Sequence, residues 1–121
     1  MPEIDSELEL ALNYLDHNKD ESLKRLFDIL KIPSISTQEK YSKDCLNAAN
    51  WFVEQLQDIG FDASIRETNG HPMVVAHFEQ EGPHFLFYGH YDVQPIDPIE
   101  LWNHDPFKPK IEKSHNGEII K

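Results

Sequence analysis

The sequence predicts an α/β fold in which two or three helices precede three short strands and a terminal hairpin. Three observations support this prediction. Apolar residues recur at helical spacing as far as residue 58, and short apolar runs follow from residue 61. Turn residues separate those runs. The 121 residues, 39% of them hydrophobic and 27% charged, correspond to one domain or to part of one.

Residues 6–31 are predicted to form two amphipathic helices. Leucines recur at helical spacing after Ser6, a residue type that commonly caps a helix N-terminus. Residues 17–20 interrupt this pattern, and a second apolar stripe follows. We expect the second helix to end before Pro33, because the residue that precedes a proline disfavours helical backbone angles.

A third helix is predicted over about residues 39–58, with Gly60 placed as its C-terminal cap. Its apolar positions form one stripe that we expect to face the core: Cys45, Ala48, Ala49, Phe52 and Leu56. Cys45 is the only cysteine and has no partner for an internal disulfide, so we interpret it as a core residue. No apolar run reaches the ~20 residues of a membrane span, and no basic signal-peptide segment is visible. A cytoplasmic location is therefore expected.

Three short strands are predicted next. Phe61–Glu67 alternates apolar and polar residues, which is typical of a half-buried edge strand. Met73–Phe78 and Phe85–Tyr88 are apolar runs of the kind found in strands covered on both faces.

The last residues are predicted to form a hairpin. Its first strand would be Lys110–Glu112, its turn Asn116-Gly117 and its second strand residues 118–121. A domain seldom ends on an apolar β run, so we expect the sequence to be a fragment of a longer protein.

The charge of the chain argues against two classes of partner. It carries 22 Asp and Glu against 11 Lys and Arg, a formal net charge of −11, and it has no basic cluster. Nucleic acids and anionic membranes are bound through clustered basic residues. We therefore expect neither of these partners.

The most informative segment follows the predicted strand Phe85–Tyr88 and contains Gly89, His90 and Asp92. His90 would lie at the carboxyl end of a strand, where ligands bind in open α/β sheets. A metal-bound imidazole needs its second ring nitrogen held by an acceptor, often a carboxylate. In an extended backbone Asp92 would lie on the same side as His90 and could provide that acceptor.

A hydrogen-bonded His90–Asp92 pair without a metal is the alternative interpretation. Zinc takes three or four protein ligands, and spacing alone supplies only His90. The remaining histidines are interpreted as solvated or hydrogen-bonded: His17, His71, His77, His84, His104 and His115.

Two features of the proline-rich loop after Asp92 remain open. Trp102 and Phe107 either line a substrate cleft or attach the loop to the body of the domain. The acidic residues of the same loop are interpreted as a solvated face: Asp97, Glu100 and Asp105.

The segment around His90 resembles the zinc-dependent dipeptidase branch of peptidase family M-twenty. That family includes carnosinase-like dipeptidases, aminoacylases, acetylornithine deacetylase and succinyl-diaminopimelate desuccinylase. The resemblance extends over nearly the whole chain, and these segments carry it: Leu30–Ser36, Ala48–Trp51 through Gly60-Phe61, Thr68–Pro72, Gly89–Pro95, Asp97-Pro98, Leu101-Trp102 and Asp105–Phe107.

The resemblance implies a role for each of the two candidate residues. His90 matches the first histidine ligand of a site for two divalent metal ions, expected to be zinc. Asp92 matches the acidic active-site residue that orients this histidine. The general base and the remaining ligands of the family have no counterpart in the sequence.

The resemblance also implies an architecture and an activity for a complete protein. Residues 1–121 would be the N-terminal part of the catalytic domain, a mixed sheet flanked by helices, without the dimerisation or lid domain. The complete protein would be a homodimeric enzyme that hydrolyses small peptides, and this chain alone would be inactive. Two alternatives stay open, an N-acyl amino acid deacylase and a non-catalytic module.

Overall fold

The computed structural model describes residues 2–115 and 118–119. The architecture is α/β, as predicted. In chain order the elements are α1 (Pro2–His17), α2 (Lys19–Leu30), a 3-10 turn (Glu39–Tyr41), α3 (Ser42–Asp58), β1 (Asp62–Arg66), β2 (Met73–His77), a second 3-10 turn (Ile99–Leu101), β3 (Ser114–His115) and β4 (Glu118–Ile119).

The two predicted N-terminal helices are present, but the first begins earlier than expected. α1 starts at Pro2, so Ser6 lies inside the helix and is not its cap. Proline is favoured in a first helical turn, where its missing N–H would have no helical partner. The interruption falls at Asn18, and α2 ends three residues before Pro33. Residues 6–17 of α1 are all exposed.

The core lies between α3 and the β1–β2 sheet. Cys45, Ala48 and Ala49 are fully buried on α3, as predicted. Phe52 and Leu56 on the same stripe are half-buried. The small side chains of this stripe let the helix approach the sheet closely, which explains why the buried residues are the smallest ones.

Gly60 ends α3 in the predicted manner. Its φ of +95° lies in the region that only glycine adopts without strain. The Gly60 N–H donates to the Gln57 carbonyl at 2.9 Å, and the Phe61 N–H donates to the Leu56 carbonyl at 3.0 Å. The chain therefore reverses directly from α3 into β1.

β1 and β2 form an antiparallel pair whose register runs from Asp62 opposite His77 to Arg66 opposite Met73. Along β2 exposed residues alternate with half-buried ones. The prediction that Met73–Phe78 is covered on both faces is therefore wrong, because α3 covers only one face of this sheet.

The predicted strand Phe85–Tyr88 does not form in the structure. Its four side chains are 86–94% exposed, and its backbone has no regular structure. A strand is stabilised by hydrogen bonds to a neighbouring strand, and none of the described strands lies beside this segment. The segment is apolar, as a strand would be, but an apolar segment forms a strand only when a neighbouring strand pairs with it.

The predicted terminal hairpin is present in shortened form. β3 and β4 are antiparallel, with Ser114 opposite Ile119 and His115 opposite Glu118. Lys110–Glu112 is irregular and precedes the first strand. The predicted turn Asn116-Gly117 and residues 120–121 lie outside the described residues. No helix in the described part of the chain is both long and apolar enough to cross a membrane.

Candidate functional site

Residues 90–93 form a loop that is attached to the segment between α2 and α3. Ile35 and Val93 form a parallel β-bridge, in which the Val93 N–H donates to the Ser34 carbonyl at 3.0 Å. The Ser34 hydroxyl donates to the Tyr91 carbonyl at 3.0 Å. Ile35, which lies between these contacts, is 1% exposed. The loop is therefore fixed to the core although it is not part of a sheet.

His90 and Asp92 lie on the same side of this loop, as the sequence predicted. The His90 Nδ1 atom is 3.0 Å from the Asp92 Oδ1 atom and 3.0 Å from the Asp92 carbonyl oxygen. A carbonyl oxygen can only accept a hydrogen bond, so we assign the imidazole proton to Nδ1. In the neutral ring this assignment places the free lone pair on Nε2, the atom that could bind a metal.

Ser36 completes the contacts of the Asp92 carboxylate. Its hydroxyl donates to Oδ2 of Asp92 at 2.6 Å, so both carboxylate oxygens accept hydrogen bonds from side chains. The Ser36 hydroxyl is the main reason that the pKa of Asp92 lies below its ordinary value. Partial burial opposes this lowering of the pKa, and His90 adds to it. Asp92 is thus held as a carboxylate at neutral pH.

A second layer of contacts supports the loop from the turn that precedes β2. The His71 Nε2–H donates to the Ser36 carbonyl at 2.7 Å. The Tyr91 hydroxyl donates to the Pro72 carbonyl at 2.5 Å. His71 is therefore a hydrogen-bonded histidine, as predicted, and its contact fixes the backbone of Ser36.

Buried Cys45 and half-buried Tyr91 lie close enough to Asp92 to interact with its charge. Burial raises the pKa of the Cys45 thiol, with smaller contributions from Asp92 and Asp44. Burial likewise raises the pKa of Tyr91, with smaller contributions from Cys45 and Asp92. Cys45 is a core residue, as the sequence predicted.

Most of the other histidines make contacts outside the candidate site. His17 bonds a backbone carbonyl one turn earlier in its own helix, and the rings of His77 and His84 stack at 5.2 Å. His104 packs edge-on against an indole ring, and its buried Nδ1 atom has no hydrogen-bond partner among the described residues. The side chain of His115 lies outside the described residues.

The described residues of the site supply one side chain, His90, that could bind a metal. Within residues 2–115 and 118–119 there is no group of three or more His, Cys, Asp or Glu side chains that could hold a metal ion. The His90 Nε2 atom has no hydrogen-bond partner in this part of the chain, and the His90 side chain is 78% exposed. The arrangement is that of one accessible imidazole nitrogen whose opposite nitrogen is fixed by a carboxylate.

A separate apolar cleft lies between the end of α2 and the proline-rich loop. Its volume is about 460 Å³, and Trp102 and Phe107 are among the residues that line it. The Trp102 indole N–H also donates to the Ile96 carbonyl at 2.9 Å. Trp102 therefore lines a cleft and holds the proline-rich loop in shape, and neither a substrate cleft nor attachment to the body of the domain is decided by these contacts.

The acidic residues of the proline-rich loop are exposed, as predicted. Asp97, Glu100 and Asp105 all face solvent. Asp105 accepts a hydrogen bond from the Phe107 N–H at 3.0 Å and lies 3.5 Å from the Lys108 ammonium. These contacts stabilise a turn.

Comparisons with known proteins identify relatives of this chain, although no family profile matches it. A Cys-Gly metallodipeptidase DUG1 of Candida albicans is 27% identical over 121 aligned residues, which cover 88% of this chain and 25% of that protein. A succinyl-diaminopimelate desuccinylase of Alkalilimnicola ehrlichii is 38% identical over 61 residues, which cover 50% of this chain and 16% of that protein.

A solved structure shows the same relationship. The di-peptidase Dug1p from Saccharomyces cerevisiae superposes with a TM-score of 0.67 at 29% sequence identity, covering 78% of this chain and 22% of that structure. The chain spans about a quarter of the length of the curated dipeptidases that it matches. The chain is thus homologous to the Cys-Gly metallodipeptidases and the succinyl-diaminopimelate desuccinylases, and the resemblance to family M-twenty is confirmed.

Proposed function

We propose that residues 1–121 form the N-terminal part of the catalytic domain of a zinc-dependent metallodipeptidase. The observation that carries the proposal is the His90 imidazole, whose Nδ1 proton is fixed by Asp92 and whose Nε2 atom is accessible. The homology to Cys-Gly metallodipeptidases supports it.

In the proposed site His90 is a metal ligand and Asp92 is the active-site carboxylate that orients it. Asp92 holds the proton on Nδ1 and so keeps the Nε2 lone pair available. A divalent metal bound there would polarise the scissile carbonyl and lower the pKa of a water molecule. We propose that the complete site holds two metal ions. The described residues supply only one ligand, so the other ligands and the general base are proposed to come from residues outside this chain.

The proposal includes the setting of the complete enzyme. A small peptide is the proposed substrate, and a homodimer is the proposed assembly, with dimerisation through a lid domain outside residues 1–121. The chain alone is proposed to be inactive, because a single histidine does not complete a metal site. A cytoplasmic location is also proposed, supported by the single cysteine, which is free and buried.

Hydrolysis of N-acyl amino acids is the second candidate function. It is favoured by the succinyl-diaminopimelate desuccinylases among the relatives. Both candidates use the same two residues in the same roles. Parallel assays of the full-length protein with a Cys-Gly dipeptide and with an N-succinyl amino acid distinguish them, and hydrolysis of neither would favour a non-catalytic module.

Substitutions in the full-length protein test the metal assignment. We expect His90→Ala to lose bound zinc and hydrolysis together. Asp92→Ala removes the partner of a ligand, so we expect a loss of ~10–100-fold in metal affinity or activity with some metal retained. The control is His17→Ala, because within the described residues His17 bonds a backbone carbonyl of its own helix. Zinc content by mass spectrometry and turnover are the measurements, and full activity in His90→Ala would falsify the proposal.

A further inference from the structure

We propose that Ser36 is a positioning residue for the metal ligand His90, acting through the carboxylate of Asp92. The inference rests on the proposed function, because it assigns Ser36 a role at that same site. In physical terms, the Ser36 hydroxyl fixes the rotation of the Asp92 carboxylate, and the carboxylate then fixes the tautomer of His90.

The contacts form a chain of three side chains. The Ser36 hydroxyl donates to Asp92 Oδ2 at 2.6 Å, and the His90 Nδ1–H donates to Asp92 Oδ1 at 3.0 Å. Each donor uses a different carboxylate oxygen. The two hydrogen bonds therefore define the plane of the carboxylate.

Packing alone does not hold this pair in place. The side chains of His90 and Asp92 are 78% and 43% exposed. The final torsion of an aspartate has a broad preference, so an exposed carboxylate rotates unless polar contacts fix it. Ser36 is the side chain from a distant part of the sequence that provides such a contact.

Ser36 is itself well placed to act as a fixed donor. Its carbonyl accepts the His71 Nε2–H at 2.7 Å, and its neighbour Ile35 is 1% exposed in the core. The backbone of Ser36 is thus held on both sides. The Ser36 hydroxyl is therefore attached to a fixed backbone, as is required of a group that orients a binding residue.

The test compares Ser36→Thr with Ser36→Val in the full-length protein. These two side chains have nearly the same shape and differ in the hydroxyl, so any effect of branching on folding is common to both. Ser36→Ala is measured as well. Ser22→Ala is the remote control, because the Ser22 hydroxyl accepts a hydrogen bond from Arg25 within α2 and has no contact with Asp92 or His90 among the described residues.

Two readouts are measured for each variant. The first is the dissociation constant for zinc, from competition with a chelator. The second is the ¹⁵N spectrum of the His90 ring in metal-free protein, which reports the nitrogen that carries the proton.

We expect Ser36→Val and Ser36→Ala to bind zinc about 10-fold more weakly, the lower end of the effect of losing a group that supports a metal ligand. Their His90 ring should show a mixture of tautomers. Ser36→Thr and Ser22→Ala should retain the Nδ1–H tautomer and the zinc affinity. The ring spectrum separates positioning from a general loss of structure, which would not change the tautomer selectively.

Equal zinc affinity and equal ring spectra for Ser36→Thr and Ser36→Val would overturn the inference. If His90→Ala still lost zinc in the same experiment, the proposed function would stand without a role for Ser36. If His90→Ala retained zinc, the proposed function itself would be wrong.

Discussion

Replacing Ile35 with alanine should both destabilise the protein and weaken its candidate metal site. Ile35 is 1% exposed and is one of the two largest fully buried side chains among the described residues. It also pairs with Val93, and its neighbours Ser34 and Ser36 hold the loop that carries His90. One side chain therefore contributes to the core and to the site.

The magnitude follows from the buried atoms. The change from isoleucine to alanine removes three buried carbon atoms, worth about 0.8 kcal/mol each on transfer from water, or about 2.4 kcal/mol together. The cavity that remains adds to this value, because the surroundings relax only partly. We expect Ile35→Ala to lower the free energy of unfolding by about 3 kcal/mol, and Ile35→Val by about 1 kcal/mol.

The assay is urea unfolding of the full-length protein followed by far-UV circular dichroism, with zinc affinity measured on the same samples. Ile111→Ala is the matched control, because Ile111 is the same residue type at 70% exposure. We expect it to change stability by less than about 0.5 kcal/mol. The reasoning would be refuted if Ile35→Ala cost no more than Ile111→Ala, or if it left zinc affinity unchanged despite a loss of stability.

Three further predictions concern other contacts. Gly60→Ala should lower the free energy of unfolding by about 1–2 kcal/mol, because φ at Gly60 is +95°. Gly70→Ala is the control and should lower the Tm less than Gly60→Ala, since the nearest neighbour of its new methyl group would be 3.9 Å away. Tyr91→Phe removes the hydrogen bond to the Pro72 carbonyl and should cost about 0.5–1.5 kcal/mol in urea unfolding. The pKa of Cys45 is raised in the folded protein, so the unfolded thiol loses its proton first as pH rises past 9.0. Stability should therefore fall above that pH, and Cys45→Ala should reduce the slope of stability against pH. An unchanged slope would contradict the burial argument.

Local sequence patterns predicted the features that depend on local physics. The apolar stripe identified Cys45, Ala48 and Ala49 as core residues, and the glycine at position 60 identified the end of α3. The two-residue spacing of His90 and Asp92 placed them on one side of an extended loop. Spacing alone did not distinguish a metal ligand from a simple hydrogen-bonded pair, and the role of His90 remains a proposal.

Features that depend on distant contacts were missed. Ser36 lies 56 residues before Asp92, and no local pattern links this serine to a carboxylate so far along the chain. His71 was likewise interpreted as a solvated or hydrogen-bonded histidine, but its contact with Ser36 was not predicted. The failure at Phe85–Tyr88 has the same origin, because a strand depends on a neighbour that its own residues do not specify.

The bridge between Ile35 and Val93 has a consequence for the order of folding. The two contacts that fix the His90 loop join residues that are 57 and 56 positions apart in the sequence. The elements that lie between those residues, α3, β1 and β2, contact one another over shorter separations. Closing a flexible loop of that length would cost on the order of 3–4 kcal/mol of chain entropy. Prior formation of the helix and the sheet shortens the span that must close, so the local unit is expected to form first and the His90 loop last. The proposed metal ligand His90 would then reach its fixed orientation only after the core of a newly made chain is complete.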